Sequence, residues 1–238
     1  MKNPAYKFAT LCFCVSLIFI GGCKTSDINK IVEQINNKPL DQKTVVAGLK
    51  EALKIGTQNA VLTSGKENGF YHNSRIKIPV PNELNKVTKA LNKLGLKRYV
   101  DKFEVQMNRS AENAVKQATE IFVAAIVQMT IQDAFNILNG DDTAATQYFR
   151  DKTEVQLKVK FKPVVNNAMR QLSFYTSYEK MLKTYESIPF SQKPNLDIEV
   201  YILDKTTDGL FLLIADEEKQ IRQNPAARVT DLLKRVFG

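Results

Sequence analysis

The single histidine of this 238-residue chain, His72, stands two residues before Ser74 in the stretch GFYHNSRIKIPVP, residues 69–81. Nucleophilic catalysis of the serine or cysteine type needs a histidine beside a nucleophile, so His72 with Ser74 is the one pair that fits by residue type. In an extended segment, residues two apart share a face. No strained nucleophile turn surrounds Ser74, however, and the expectation is a solvent-exposed loop histidine. The catalytic assignment is therefore none.

Other chemistries fare similarly. Zinc needs several Cys or His ligands and the chain outside its first 23 residues offers only His72. Asp141 and Asp142 lack the alternating oxygen ligands of a calcium loop and read as a turn with a helix cap. Glu112 with Glu120, or Glu217 with Glu218, would be acid–base pairs only if brought together; on lysine-rich helices they read as solvated faces or ion pairs. Gly65 and Gly69 match neither nucleotide fingerprint. The sequence thus predicts no metal, no cofactor and a non-enzymatic protein.

The N-terminus carries a clearer signal. Lys2 and Lys7 precede an uncharged apolar run from Phe8 to Ile20, short for a membrane span and right for the core of a signal peptide. The run ends in Ile20-Gly21-Gly22-Cys23, which resembles the lipobox of bacterial lipoproteins and makes Cys23 the expected site of lipid attachment. Cys12 and Cys14 would leave with residues 1–22, so no thiol would remain for a disulfide. Removal takes two lysines and no acidic residue, lowering the formal charge from +9 to +7 over 216 residues. In an exported protein, that basic balance points to anionic lipid or an acidic envelope partner rather than nucleic acid. Lys24 after the anchor, where aspartate would signal inner-membrane retention, implies an outer-membrane lipoprotein facing the periplasm.

The organisation that must position these residues is helical. Residues 23–40 read as a lipidated tether and 41–238 as one helical domain. Apolar residues recur at three and four from Val45 to Val61 behind a cap at Asp41. Pro81 opens a helix carrying Leu84, Val87, Leu91 and Leu94, which Gly95 stops. One long central helix is expected from Tyr99 to Met129, apolar nearly all round once Val123, Ala124 and Val127 are counted. Thr130 with Asp133 forms a capping box for a helix through Leu138. A further helix, capped by Asp142 or Thr143, should be kinked or divided at Pro163. Then come a helix over Tyr175–Tyr185, another from Ile198 (helix favoured over an isolated strand), one opened by Asp208-Gly209 and ended by Pro225, and a last one from Ala226 to Val236. The expected fold is all-α: a single-domain multi-helix bundle around a central apolar helix, with one extended Pro-containing loop.

Several blocks carry a family resemblance. GLKEAL (48–53), GTQNAV (56–61), GFYHNSRIKIPVP, FEVQMNRSAENA (103–114), IFVAAIVQMTIQDAFNILNGDDTAATQYF (121–149), DGLF (208–211) and IRQNPAARVTDLLKRVFG (221–238) resemble, in that order, the bacterial exported family known only as domain-of-unknown-function family 4197. The resemblance implies a helical exported protein and brings no catalytic residues.

Two binding features remain. Lys86, Lys89, Lys93 and Lys97 recur at three or four on one side of the helix after Pro81, continued by Arg98 and Lys102. They read either as a solvated face or as a contact for anionic head groups or an acidic partner. Arg222, Arg228, Lys234 and Arg235 would extend that patch if adjacent. The stretch 69–81 either packs across helix ends with Phe70, Tyr71, Ile76 and Ile78 inward, or forms a lip in which Phe70, Tyr71, His72, Asn73 and Arg75 meet a ligand or partner. The functional expectation is a lipid-anchored binding or structural module. The alternatives are an envelope hydrolase using His72 or a buried carboxylate, and a carrier or chaperone for a hydrophobic ligand.

Overall fold

The computed structural model describes residues 41–171 and 174–237. The signal peptide, Cys23 and the tether of the sequence reading lie outside the described residues. Within them the protein is all-α, with nine α-helices packed in a single bundle and no strand. These are α1 (Gln42–Gly65), α2 (Asn85–Lys93), α3 (Lys97–Val115), α4 (Ala118–Gln128), α5 (Ile131–Leu138), α6 (Ala144–Gln171), α7 (Phe174–Glu186), α8 (Ile198–Gln223) and α9 (Asp231–Phe237). Short 3₁₀ turns at Asn82–Leu84 and Pro225–Ala227 lead into α2 and towards α9.

Helices α3, α6 and α8 pack on one another at the centre, and α1 closes against α8, α4 and α3. Their shared core is aromatic: Phe103, Phe122, Phe149, Phe161, Phe174 and Phe211 are all fully buried. Phe122 meets Phe149 and Phe211 edge-on, with centroids at 5.4 and 6.2 Å. Such geometry adds to the burial of each ring, which alone is worth about 1.5–3 kcal/mol.

Local signals account for several boundaries. The Asp41 carboxylate accepts the Thr44 amide at 2.9 Å, and that bond holds the Asp41 carboxyl below the usual carboxylate range. Thr130 and Asp133 form the reciprocal capping box, and α4 and α5 meet there at 105°. Gly95 adopts φ +71°, the left-handed conformation expected of a helix stop. No single helix among the described residues is long and apolar enough to cross a membrane.

Four expectations about helix extent are corrected. The long central helix is two, because at Lys116–Gln117 the Gln117 amide bonds back to the Ala114 carbonyl at 3.0 Å and tightens the turn. No proline or glycine marks this break, and the apolar period runs straight across it. Helix α4 is not buried all round either: the Val123, Ala124 and Val127 that make it apolar nearly all round face solvent. Conversely, α6 is not divided at Pro163 and α8 is not divided at Asp208-Gly209. Packing of the buried Phe161, Val165, Ile202, Leu210 and Phe211 on both sides of these residues outweighs the local breakers. The C-terminal segment is a 3₁₀ turn followed by α9, not one helix from Ala226.

Candidate functional site

The strap from Lys66 to Pro81 links α1 to α2 and crosses α3 and α8. It is less extended than the sequence reading expected: residues 67–72 and 74–76 form turns, and only 77–81 run without them. Asn68 takes φ +63°. Gly69 then lies so close to the end of α1 that a Cβ would come within 2.4 Å of the Ser64 carbonyl oxygen. Only glycine fits this approach.

Backbone groups lifted out of regular structure must find partners, and α3 supplies them. The buried Glu112 carboxylate accepts the amides of Phe70 at 3.1 Å and Tyr71 at 3.3 Å. Its other oxygen accepts from Arg109 at 2.8 Å, while Arg109 also reaches Glu67 and Asn68. The buried Asn108 pairs with Ile78 as a strand neighbour would: it accepts the Ile78 amide at 2.8 Å and donates to the Ile78 carbonyl at 2.9 Å. The Tyr201 hydroxyl donates to the Pro79 carbonyl at 3.0 Å. Sequence reasoning missed Asn108 and Glu112 in these roles. Their signal was present in the polar line Glu104, Asn108 and Glu112, which runs at intervals of four beside the apolar line Phe103, Met107 and Ala111.

The strap's side chains divide. Phe70, Ile76 and Ile78 are buried in the core, with Phe70 and Ile76 seated against Gly209 of α8, where a Cβ would meet the Phe70 ring at 2.9 Å. Tyr71 is half-buried rather than inward, with the Lys77 ammonium 4.7 Å from its ring centre and the His72 ring at 5.3 Å. His72 is exposed and its imidazole has no hydrogen-bond partner among the described residues, and Ser74 is exposed likewise. The Asn73 side chain accepts the Arg75 amide at 3.1 Å and so serves the turn. The five proposed contact residues are thus not one surface, and Arg75 alone borders an open groove.

That groove, about 470 Å³, lies between strap residues 75–79, α6 and α8. Ile76, Pro79, Phe211 and Leu212 give it an apolar floor; Arg75, Lys77, Arg150 and Lys205 stand on its banks with Asp208. Three of these cations are fixed by ion pairs: Arg75 with Asp216, Lys77 with Glu104 at 2.8 Å, and Arg150 with Asp208 at 3.1 Å and Glu154 at 3.3 Å. The Arg150 guanidinium also covers the Phe211 ring at 4.6 Å.

Three of the four glutamates singled out in the sequence, Glu112, Glu217 and Glu218, have hydrogen-bond partners. Glu112 is buried while Glu120 is exposed. Glu217 accepts from Asn59 at 2.8 Å. Glu218 is buried rather than solvated and accepts the first-turn amides of α6, Ala145 and Thr146, both at 2.9 Å. The Asp141 carboxylate accepts the Thr143 amide at 2.8 Å, Asp142 accepts from the Gln223 side chain, and the Thr143 carbonyl takes the Gln147 amide at 2.9 Å, the first bond of α6. No group of three His, Cys, Asp or Glu suited to a metal occurs among the described residues.

Of the lysine series, Lys86, Lys89 and Lys93 lie exposed on α2, whereas Lys97 begins α3 and pairs with Asp101. The C-terminal cations serve other ends. Arg222 pairs with Glu218, Arg228 donates to the Ile221 and Arg222 carbonyls, and Lys234 pairs with Asp231. Helix α9 packs on α1 at Gly48, while α2 packs on α7 and α3.

A void of about 20 Å³ between α1, α6 and α8 is the size of one water, against the several hundred cubic ångströms that a small-molecule pocket encloses.

No curated protein and no solved structure matches the chain. Residues 39–238 match the family described as protein of unknown function, DUF4197, and over that span the chain belongs to this family.

Proposed function

We propose that the protein is a lipid-anchored envelope protein, attached through Cys23 on the periplasmic side of the outer membrane, that works by binding rather than by catalysis. The observation that carries the binding reading is the groove beside the strap: an apolar floor open to solvent, flanked by charged groups already held in place by ion pairs. Polar groups fixed over an apolar surface orient a ligand at little ordering cost. The cations are largely compensated by their partners, which suits a segment of a polypeptide partner carrying apolar and polar side chains rather than a strongly charged ligand.

Two measurements test this. Mass spectrometry of the membrane-extracted protein should find an acylated N-terminal Cys23 and Cys23→Ser should abolish it; a chain that still begins at Met1 sinks the anchor. Native mass spectrometry of the Cys23→Ser chain should find a retained partner or ligand that is lost in Leu212→Glu, which places a charge on the exposed part of the groove floor. Retention unchanged in that variant would move the binding site elsewhere.

A further inference from the structure

The connection from Ser187 to Asp197 partly buries Ile188 and Leu196 and leaves Pro189 and Phe190 exposed. Ile188 and Leu196 pack against the core, as does Tyr185 just before them, whereas Phe190 is fully exposed at 104% of its reference area. The backbone that displays it is built for the purpose. The Ser191 amide donates to the Ile188 carbonyl at 3.2 Å, Pro189 takes the second position of the turn, and Phe190 takes the third with φ +65°. This is the pattern of a type II turn, whose third position normally holds glycine or asparagine. A bulky residue there is strained, and strain of that kind concentrates at contact sites. The turn therefore holds a benzyl group in solvent where glycine would be easier.

Its surroundings are basic. Phe190 and Lys193 share a crevice of about 660 Å³ with Asn82, Glu83 and Lys86 at the entry to α2. Lys89 and Lys93 continue along the exposed side of α2. Among the described residues none of these four lysines is in an ion pair, unlike Lys77, Lys97 and Lys158, and Glu83 is the one acidic residue that lines the crevice.

We propose that Phe190 with Lys86, Lys89, Lys93 and Lys193 forms a contact with an anionic lipid surface. The ring inserts at the boundary of head groups and acyl chains while the ammonium groups lie against the phosphates. A protein partner would need a pocket shaped to a projecting ring, whereas a lipid surface accepts a convex aromatic tip without one. The identity of the surface rests on the envelope reading above, because an anchored chain meets its membrane at high effective concentration.

The chain contains no tryptophan, so Phe190→Trp is a unique fluorescent reporter of this position. On a Cys23→Ser background shared by all variants, any contribution of residues 1–22 cancels. With vesicles of phosphatidylethanolamine and phosphatidylglycerol, the Phe190→Trp emission should shift to the blue. Phe190→Gly should partition about tenfold more weakly while its Tm stays the same or rises, since glycine relieves the turn. Joint reversal with Lys86→Glu, Lys89→Glu and Lys193→Glu should weaken partitioning about a hundredfold at low salt, and less at high salt. Unchanged emission, or unchanged partitioning of Phe190→Gly, overturns the insertion, whatever the lysine variant does. Failure of the anchor appears separately, as the absence of acylated Cys23.

Discussion

Two buried glutamates, each paired with an arginine on its own helix, do different jobs. Glu218 on α8 receives the Ala145 and Thr146 amides, the Thr146 hydroxyl and two Arg222 nitrogens, while Arg222 also donates to the Ile137 and Leu138 carbonyls at the end of α5. It therefore joins the end of one helix to the start of the next, with the positive end of the α6 dipole facing the carboxylate. Glu112 on α3 receives only two strap amides, and its Arg109 remains partly exposed and shares Glu67. The first couple makes a corner of the bundle; the second holds an irregular segment onto a finished one.

The largest effect is expected at the corner. Removing one partner of a buried, fully hydrogen-bonded pair costs about 3–5 kcal/mol, so Glu218→Ala should lower Tm by roughly 10 °C in a domain of this size. Thermal denaturation followed by circular dichroism checks it. Glu112→Ala should cost less, about 2 kcal/mol, because Arg109 keeps Glu67 and solvent. Its distinguishing mark is local: amide exchange at Phe70 and Tyr71 should accelerate while the α5–α6 corner stays protected. Equal destabilisation with global exchange in both variants would erase the distinction between corner and strap.

Glycine contacts sharpen the same contrast. Gly209→Ala presses a methyl into the Phe70 ring and Ile76 Cβ, at 2.9 and 3.1 Å, and should cost about 1–3 kcal/mol by displacing the strap. Gly48→Ala meets the Val236 Cγ2 atom on the short α9, which can shift, and its cost should fall at the low end, about 1 kcal/mol or less. Paired denaturation curves test the order.

The smallest effect near neutrality is expected at Tyr175. Burial and its hydrogen bond to Glu199 push its hydroxyl up to about 12 from the usual value near 10. The folded protein thus keeps a proton that the unfolded chain releases, so this contribution is fully present below about pH 10 and is lost as pH rises towards about 12. Tyr175→Phe should flatten that alkaline decline, and an ultraviolet titration in which all tyrosines ionise together would contradict it.

Much of the helical pattern is legible in the chain because it depends on nearest neighbours. The Asp41 cap, the Thr130–Asp133 box and the Gly95 stop each satisfy orphan groups within a few residues. Extents are less legible. Pro163 and Gly209 look like interruptions, yet burial on both sides carries α6 and α8 through them. The Lys116–Gln117 break shows no local breaker at all.

By itself, then, the sequence determined an all-α bundle, the caps at Asp41 and Thr130 and the stop at Gly95, since period and capping act over three or four residues. Only the tertiary structure decided which polar residues would be spent inside. Asn108, Glu112 and Glu218 acquire their roles from backbone amides roughly 30 to 70 residues away in the chain, and no local pattern fixes which loop will arrive. The same holds for the strap: its prolines and glycine are visible at once, but the division of Phe70 into the core, His72 into solvent and Arg75 onto a groove arises from how α3 and α8 sit beneath it.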